Sequence, residues 1–288
     1  MTMTTEAAAR SNTDICLETL RETDRDRYLA CLLSPAEKRG ALAALYAFGA
    51  ELARVRDMVH EPLPGEVRLQ YWRDLLEGHA HGSSAANPIA AALLAAIETH
   101  RLPVKSLVDM TEARIFDLYD DPMETRGSLE GYAGETASAL IQLASLILSP
   151  EDAKTSADAA GHAGVAQAIA GLLLLMPLHR RRGQLYLPRE ILEATGLDRD
   201  AFLAGKDTLR ISAAIDAFAG LGREHLAKAR AAGPVAASVF PAFLPVTLAE
   251  PVLVRAQKAG ADVLEETVQP PQWRRQLRMA LASYSRRI

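Results

Sequence analysis

The chain has 288 residues, 49% hydrophobic and 24% charged, enough for one large domain or two small ones. Only 5% are aromatic and alanine is abundant, which favours closely packed helices, and a formal charge of −4 argues against a general nucleic-acid binder. Cys16 and Cys31 stand in no metal-ligand spacing and fit a reducing compartment better than a disulfide framework.

Residues Met1 to Asn12 are polar and alanine-rich and lack the apolar segment of a secretory signal. The first twenty residues read as a poorly ordered N-terminal segment. Beyond them, apolar residues recur at spacings of three and four, and strict alternation is nearly absent. This predicts helices over 24–33, 36–59, 66–79, 87–99, 104–118, 128–147, 151–177, 189–194, 199–204, 207–232, 235–258 and 272–285. Ser34-Pro35-Ala36-Glu37 has the form of an N-cap, a first-turn proline and an early acid; Ser149-Pro150-Glu151-Asp152 repeats it, and Asn87-Pro88 repeats the cap and the proline. Gly65, Gly127 and Gly183 read as loop punctuation. Two apolar runs imitate membrane spans. Ala163 to Leu178 is too short, and Val235 to Val254 is broken by Pro241, Pro245 and Pro251, so both read as buried helices. The expectation is one all-α domain over residues 1–288 with about ten or more helices, soluble and cytoplasmic.

The stretch from Arg39 to Asp57, RGALAALYAFGAELARVRD, puts small and apolar residues on one helical face and ends in Glu51, Arg54, Arg56 and Asp57. A protein that grips a diphosphate through Mg²⁺ needs two or three carboxylates there, one turn apart, because Mg²⁺ demands a nearly octahedral shell of oxygens. Together with Arg25-Asp26-Arg27-Tyr28-Leu29-Ala30, the run Ala44-Leu45-Tyr46-Ala47-Phe48 resembles the first block of the squalene/phytoene synthase family, the head-to-head prenyl synthases. Laid on that block, the family's acid pair falls on Ala53 and Arg54 and its third acid on Asp57.

Further blocks follow in order. Arg68 to Asp74 resembles the family's tryptophan–arginine helix, and Glu112 to Leu118 its mid-chain acidic helix, with Asp117 retained. Gly164-Val165-Ala166 and Arg182-Gly183-Gln184-Leu185-Tyr186-Leu187-Pro188 resemble the ends of its second acidic block. Counted back from Tyr186-Leu187-Pro188, the three acids of that block fall on Leu175, Leu178 and His179. The resemblance spans roughly residues 24–260 and implies an isoprenoid-synthase-type bundle around a central cavity.

It also implies that the metal site is gone. Asp57 and Asp117 are residual motif positions, no catalytic set is intact, and neither a metal nor another cofactor is expected. Arg54, Arg56, His179, Arg180, Arg181 and Arg182 would converge near the old pocket mouth in such a fold and are candidates for direct anion binding. The alternative is that Arg180 to Arg182 form a solvated loop and Arg54 pairs with Glu51 or Asp57. Tyr46, Phe48, Tyr71 and Trp72 recur at helical spacing and suit a core, or the wall of an inherited hydrophobic tunnel. The cavity-lining candidates are Tyr46, Phe48, Gln70, Trp72, Leu175, Leu178 and Tyr186.

Of the remaining groups, Asp120 and Asp121 precede Pro122 and read as a solvated helix end, with Asp117 turned inward. His79 and His81 read as loop without a third ligand. No phosphate loop, nucleophile elbow or Cys/His pair is present. Two functions remain. Within the family, Glu51 to Asp57 and Leu69 to Trp72 look most like the branch containing the mitochondrial assembly factor for respiratory complex I. That implies a non-catalytic role in building a respiratory complex or in holding a lipid or isoprenoid. Its partners would be respiratory-complex subunits, with at most peripheral contact with the inner membrane, for which Arg180 to Arg182 are the candidate surface. The alternative is an active prenyl transferase that joins two prenyl diphosphates with Mg²⁺; acids such as Asp109 or Asp216 would then have to fill the second wall.

Overall fold

The computed structural model describes residues 11–79 and 86–288. His81 lies outside the described residues. No strand occurs among them, and the architecture is all-α.

Order begins earlier than the sequence suggests. Ser11 accepts from the Asp14 amide while the Asp14 carboxylate accepts from the Ser11 amide, a reciprocal cap that opens α1 (Asn12–Thr23). Cys16 and Leu20 of α1 are fully buried against α3 (Arg39–Ala53) and α5 (Pro88–His100), so the expectation of disorder fails from residue 11 onward. α2 (Arg25–Leu32) is capped by Asp24, which accepts from the Arg27 amide. α3 is buried from Leu42 to Gly49, because its run of alanines lets neighbours approach on every side. α4 (Pro62–Leu76) packs on α6 (Val104–Ala113), α7 (Arg126–Ala133) leads into α8 (Ala139–Leu148), and α9 (Pro150–Thr155) follows under its Ser149 cap.

The second half is organised by α10 (Ala157–Leu174) against α14 (Thr208–Ala231), with α11 (Met176–Arg181), α12 (Arg189–Ala194) and α13 (Arg199–Ala204) between them in the chain. α15 (Phe240–Phe243), α16 (Ala249–Ala259) and α17 (Gln272–Ser285) complete it. One apolar cluster gathers around α3, α5 and α8, another around α10, α14 and α16, and a small third one holds Met279 and Ala282 of α17 against Phe240, Leu244 and Leu248.

The differences from the predicted helices are breaks. The 36–59 segment is a 3-10 turn over 36–38, then α3, then a 3-10 turn over Val55–Met58. Ser34 does not cap it; its hydroxyl donates back to the Ala30 carbonyl. The 104–118 segment likewise ends in a 3-10 turn, Phe116–Leu118. The 151–177 segment breaks at Ser156 and again at Leu175, where Pro177 opens α11. In 235–258 the prolines divide the helix into α15, a 3-10 turn over Leu244–Leu248 and α16. Gly65 and Gly127 lie inside α4 and α7 rather than in loops. A Cβ on Gly65 would stand 2.5 Å from a Leu118 methyl group, so the glycine lets the 116–118 turn approach the helix.

Between α7 and α8 the helix widens into a π turn, Gly134–Ser138. Gly164 of α10 presses on it so closely that a Cβ would meet the Ser138 Cα at 2.3 Å and its nitrogen at 2.4 Å. Those are backbone atoms and cannot swing aside. The Ser138 hydroxyl donates to the Gly161 carbonyl at 2.7 Å across the same crossing. In an ordinary helix interior, glycine to alanine gains about 1 kcal/mol. Here Gly164→Ala is expected to cost about 1–3 kcal/mol through overpacking, read as a lower urea midpoint with an unchanged slope.

Candidate functional site

A cavity of about 370 Å³ opens among α2, the end of α3, the π turn, α10, α11 and the 3-10 turn before α16. One wall is apolar: Ala53, Ala137, Ala168, Leu172, Leu175, Leu178, Leu248 and Val252. The other is a network of charged and hydroxyl groups.

Asp117, only 7% exposed, is the centre of that network. Its Oδ1 accepts from the Tyr132 hydroxyl at 2.8 Å and the Tyr186 hydroxyl at 2.9 Å, and its Oδ2 accepts from Arg114 Nη1 at 3.0 Å. Arg114 Nη1 also donates to Tyr132 Oη, and Gln184 donates to the Asp117 carbonyl. Burial, with the Asp117 charge added, raises both tyrosine hydroxyls far above their ordinary value, so both stay protonated as donors. The 3-10 turn aims Asp117 inward, whereas Asp120 and Asp121 remain in solvent.

The other carboxylates of the cavity are answered in the same way. Asp57 Oδ1 accepts from Arg182 Nη1 at 2.6 Å, Asp24 pairs with Arg27 at 2.5 Å, and Asp26 pairs with Arg275 of α17. Four carboxylates and five guanidiniums line the cavity, and each carboxylate is matched to one guanidinium. The fifth is Arg56. Its Nη1 reaches only the Val59 and His60 carbonyls, at 3.4 Å, and its Nε is buried with no partner among the described residues. Gln167 Oε1, also at the cavity, is likewise buried without a donor.

His179 stands between the walls, with its ring 4.8 Å from that of Tyr186. Burial pushes its pKa down to about 4; Asp117 and Asp57 pull it upward and Arg182 downward. It is a neutral imidazole near pH 7.

Of the residues singled out from the sequence, Arg56, Asp57, Asp117, Leu175, Leu178, His179, Arg182 and Tyr186 line this cavity. The others do not. Arg54 is exposed and borders a neighbouring cleft with Leu52 and Leu140. Arg180 turns away and donates to the Leu203 carbonyl and to Glu265, and Arg181 is exposed beside it. The alternative of a solvated arginine loop also fails, because Arg180 and Arg181 belong to α11 and Arg182 caps it with its side chain on Asp57. Tyr46, Phe48 and Trp72 are core: Phe48 and Trp72 meet edge to face at 5.1 Å, and Tyr46 lies under the Arg27 guanidinium. Gln70 sits on the outer face of α4, bonded to Asp74 and Arg73. Asp109 pairs with Lys105 and Asp216 accepts from Gln257; neither lines the cavity. Sequence reading missed Arg114, Tyr132 and Arg275. The spacing of three between Arg114 and Asp117 was a usable signal; nothing local links Arg275 to Asp26.

The sequence profile described as squalene/phytoene synthase matches residues 20–279. The chain belongs to the squalene/phytoene synthase family. A rat relative in the family, named NADH dehydrogenase (ubiquinone) complex I, assembly factor 6, is 33% identical over 88% of this chain and 76% of its own. The 15-cis-phytoene synthase of Synechocystis is 25% identical over 67% of this chain and 60% of its own. A crystal structure of a dehydrosqualene synthase superposes with a TM-score of 0.77 at 17% identity, covering 95% of this chain and 96% of the other. The isoprenoid-synthase fold is thereby shown.

The residues present do not fit the Mg²⁺ that the family implies. No group of three or more His, Cys, Asp or Glu side chains able to hold a metal occurs among the described residues, and Asp57 faces a guanidinium where a cation would stand. What the arrangement offers instead is an apolar pocket with one unmatched guanidinium and one unmatched amide oxygen.

Two predictions follow from this geometry. Asp117→Ala leaves Arg114 without its carboxylate and two tyrosine hydroxyls without their acceptor, and should cost about 3 kcal/mol or more in chemical unfolding. His179 binds its proton less readily folded, at a pKa of about 4, than unfolded, near 6.5. Its contribution is therefore fully present above pH 6.5 and is lost as pH falls toward 4, by roughly 3 kcal/mol. His179→Gln should flatten the stability–pH curve across that window relative to the unmodified chain.

Proposed function

We propose that this protein is a non-catalytic member of its family that serves assembly of a respiratory complex and holds an apolar, weakly charged molecule in its cavity. The observation that carries this reading is the pairing of every cavity carboxylate with an arginine. When a prenyl diphosphate ionises, the diphosphate leaves with about three negative charges, which metal ions must neutralise as the carbon–oxygen bond breaks. Asp57 is committed to Arg182, and the facing wall offers Leu175, Leu178 and His179. Neither wall can supply the carboxylates of a metal cluster. The assembly role is carried over from the relatives named as complex I assembly factors, which are 33% identical to this chain over 255 residues.

A pocket of about 370 Å³ is the right size for a small lipid or a folded isoprenoid segment. The unmatched Arg56 Nε and Gln167 Oε1 would meet a head group with an acceptor and a donor and no more than one negative charge. Purified protein incubated with farnesyl or geranylgeranyl diphosphate and Mg²⁺ is expected to give neither hydrocarbon nor released diphosphate. Turnover that vanishes on Asp57→Ala would overturn the reading and restore a prenyl transferase. In the host cell, deletion should lower assembled NADH dehydrogenase complex and leave squalene and phytoene levels unchanged. Native mass spectrometry of the isolated protein identifies any cavity ligand, and Arg56→Ala is expected to weaken its retention.

A further inference from the structure

The strongest exposed apolar feature lies on the outward face of α17, the helix whose Arg275 reaches the cavity from its other side. Trp273, Leu277, Leu281 and Tyr284 are all exposed, at 60%, 52%, 60% and 92%. At about 100° per residue these four, with Ala280, fall within a sector of roughly 100° on one side of the helix. Met279 and Ala282 form the opposite side and are buried against Phe240, Leu244 and Leu248. The helix is therefore amphipathic twice over: one apolar edge holds it to the protein, and the other faces outward along about 16 Å.

The charged side chains of the segment itself have one sign. From Pro271 to Ile288 the chain has five arginines and no aspartate or glutamate. Two of these arginines are used internally. Arg275 pairs with Asp26, and Arg278 donates to the Thr247 carbonyl and approaches Glu250. Arg274, Arg286 and Arg287 have no acidic partner among the described residues. Arg274 lies over the Trp273 ring, 5.1 Å from its centre, on the border of the outward stripe. Aromatic residues mark both ends of that stripe, where amphipathic rings suit the level of lipid head groups.

We propose that the outward face of α17 docks this protein on an anionic bilayer. The helix would lie in the plane of the interface with Trp273, Leu277, Leu281 and Tyr284 in the head-group and acyl boundary. Arg274, Arg286 and Arg287 would contact lipid phosphates. Charge complementarity selects this occupant: a stripe flanked on one side by Arg274 and followed at its end by Arg286 and Arg287, with no acid in the segment, suits a surface of phosphates, whereas a second copy would bring the same positive charges against its own. No helix among the described residues is long and apolar enough to cross a membrane, so contact by α17 is of the surface-lying kind. The inference stands whatever occupies the cavity. It also places membrane contact on α17 instead of Arg180 to Arg182, of which Arg180 is turned onto Glu265 and Arg182 onto Asp57.

The test uses the full chain with vesicles of phosphatidylcholine, with and without about one third phosphatidylglycerol. The chain has two tryptophans, and Trp72 is 4% exposed, so an emission change on lipid binding reports Trp273. Expected are flotation with the anionic vesicles, a blue shift, and little binding to neutral ones. Raising salt from about 0.1 to about 0.5 M should weaken binding several-fold. Leu277→Glu with Leu281→Glu should lower partitioning about tenfold or more, while the far-ultraviolet spectrum and thermal midpoint hold, since both side chains are solvent-facing. Arg274→Gln, Arg286→Gln and Arg287→Gln together should remove the salt dependence. The proposal is overturned if the unmodified protein ignores anionic vesicles, or if the glutamate variant binds them equally. It is also overturned if light scattering shows a dimer that the glutamate variant dissolves, which would give the stripe to a second copy.

Discussion

The pairing of carboxylate with guanidinium across the cavity is the constraint around which the rest of this molecule is arranged. A charge taken from water into a helical bundle is costly unless an opposite charge meets it with good geometry. Here the partners come from distant parts of the chain: Asp26 and Arg275 are 249 positions apart, and Asp57 and Arg182 are 125 apart. Each pair therefore fixes the relative position of two elements, α2 to α17 in the first case and the 55–58 turn to the end of α11 in the second. Asp117 adds a third tie, joining the 116–118 turn to Tyr132 of α7 and to Tyr186 beyond α11. The cavity keeps its shape because its polar wall is cross-braced, and its apolar wall is free to be plain packing.

That bracing decides what the cavity can attract. A pocket with free carboxylates draws cations, and a pocket with free guanidiniums draws anions. Matched pairs at hydrogen-bond distance cancel most of each other's field, so the interior is close to neutral apart from Arg56. A triply charged head group entering without metal would meet one unpaired cation and several carboxylates already satisfied. An apolar body with a modest head loses less water and matches the lining better. The neutral imidazole of His179 fits the same picture, since a second cation beside Arg182 would be disfavoured by burial and repulsion together.

Much of this was legible in the sequence, and what was not has a physical cause. The all-α class, most helix positions and the absence of paired acids follow from three- and four-residue spacing and from the identities of Ala53, Arg54, Leu175, Leu178 and His179. Helix interiors were read well and helix breaks poorly. The interruption at Arg54 depends on tertiary packing, since the apolar period continues through it, whereas Pro177 and Pro245 stand at the breaks after Leu175 and Phe243. Those breaks decide where side chains point. Arg54 follows the end of α3 and faces outward, whereas Arg56 and Asp57, on the following 3-10 turn, face in. A smooth helix drawn through the segment cannot make that distinction. Nor can it place Phe48 and Trp72, whose contact makes them core where their aromatic character equally suited a tunnel wall.

The same distinction separates positions that hold the fold from positions that only line the cavity. Ala53 and Leu175 are exposed where they line the cavity, and a side chain there has few neighbours to satisfy. Exchanging a carboxylate for an alanine or a leucine there creates no void and no clash, and it relieves the repulsion that clustered acids impose when no cation separates them. Gly164 and Phe48 have no such freedom: one touches the backbone of Ser138, and the other fills the core against Trp72. Packing constrains the second kind of position whatever the protein does, whereas only metal-dependent chemistry constrains the first. Positions of the first kind can therefore differ between members of the family while the packed positions hold the fold.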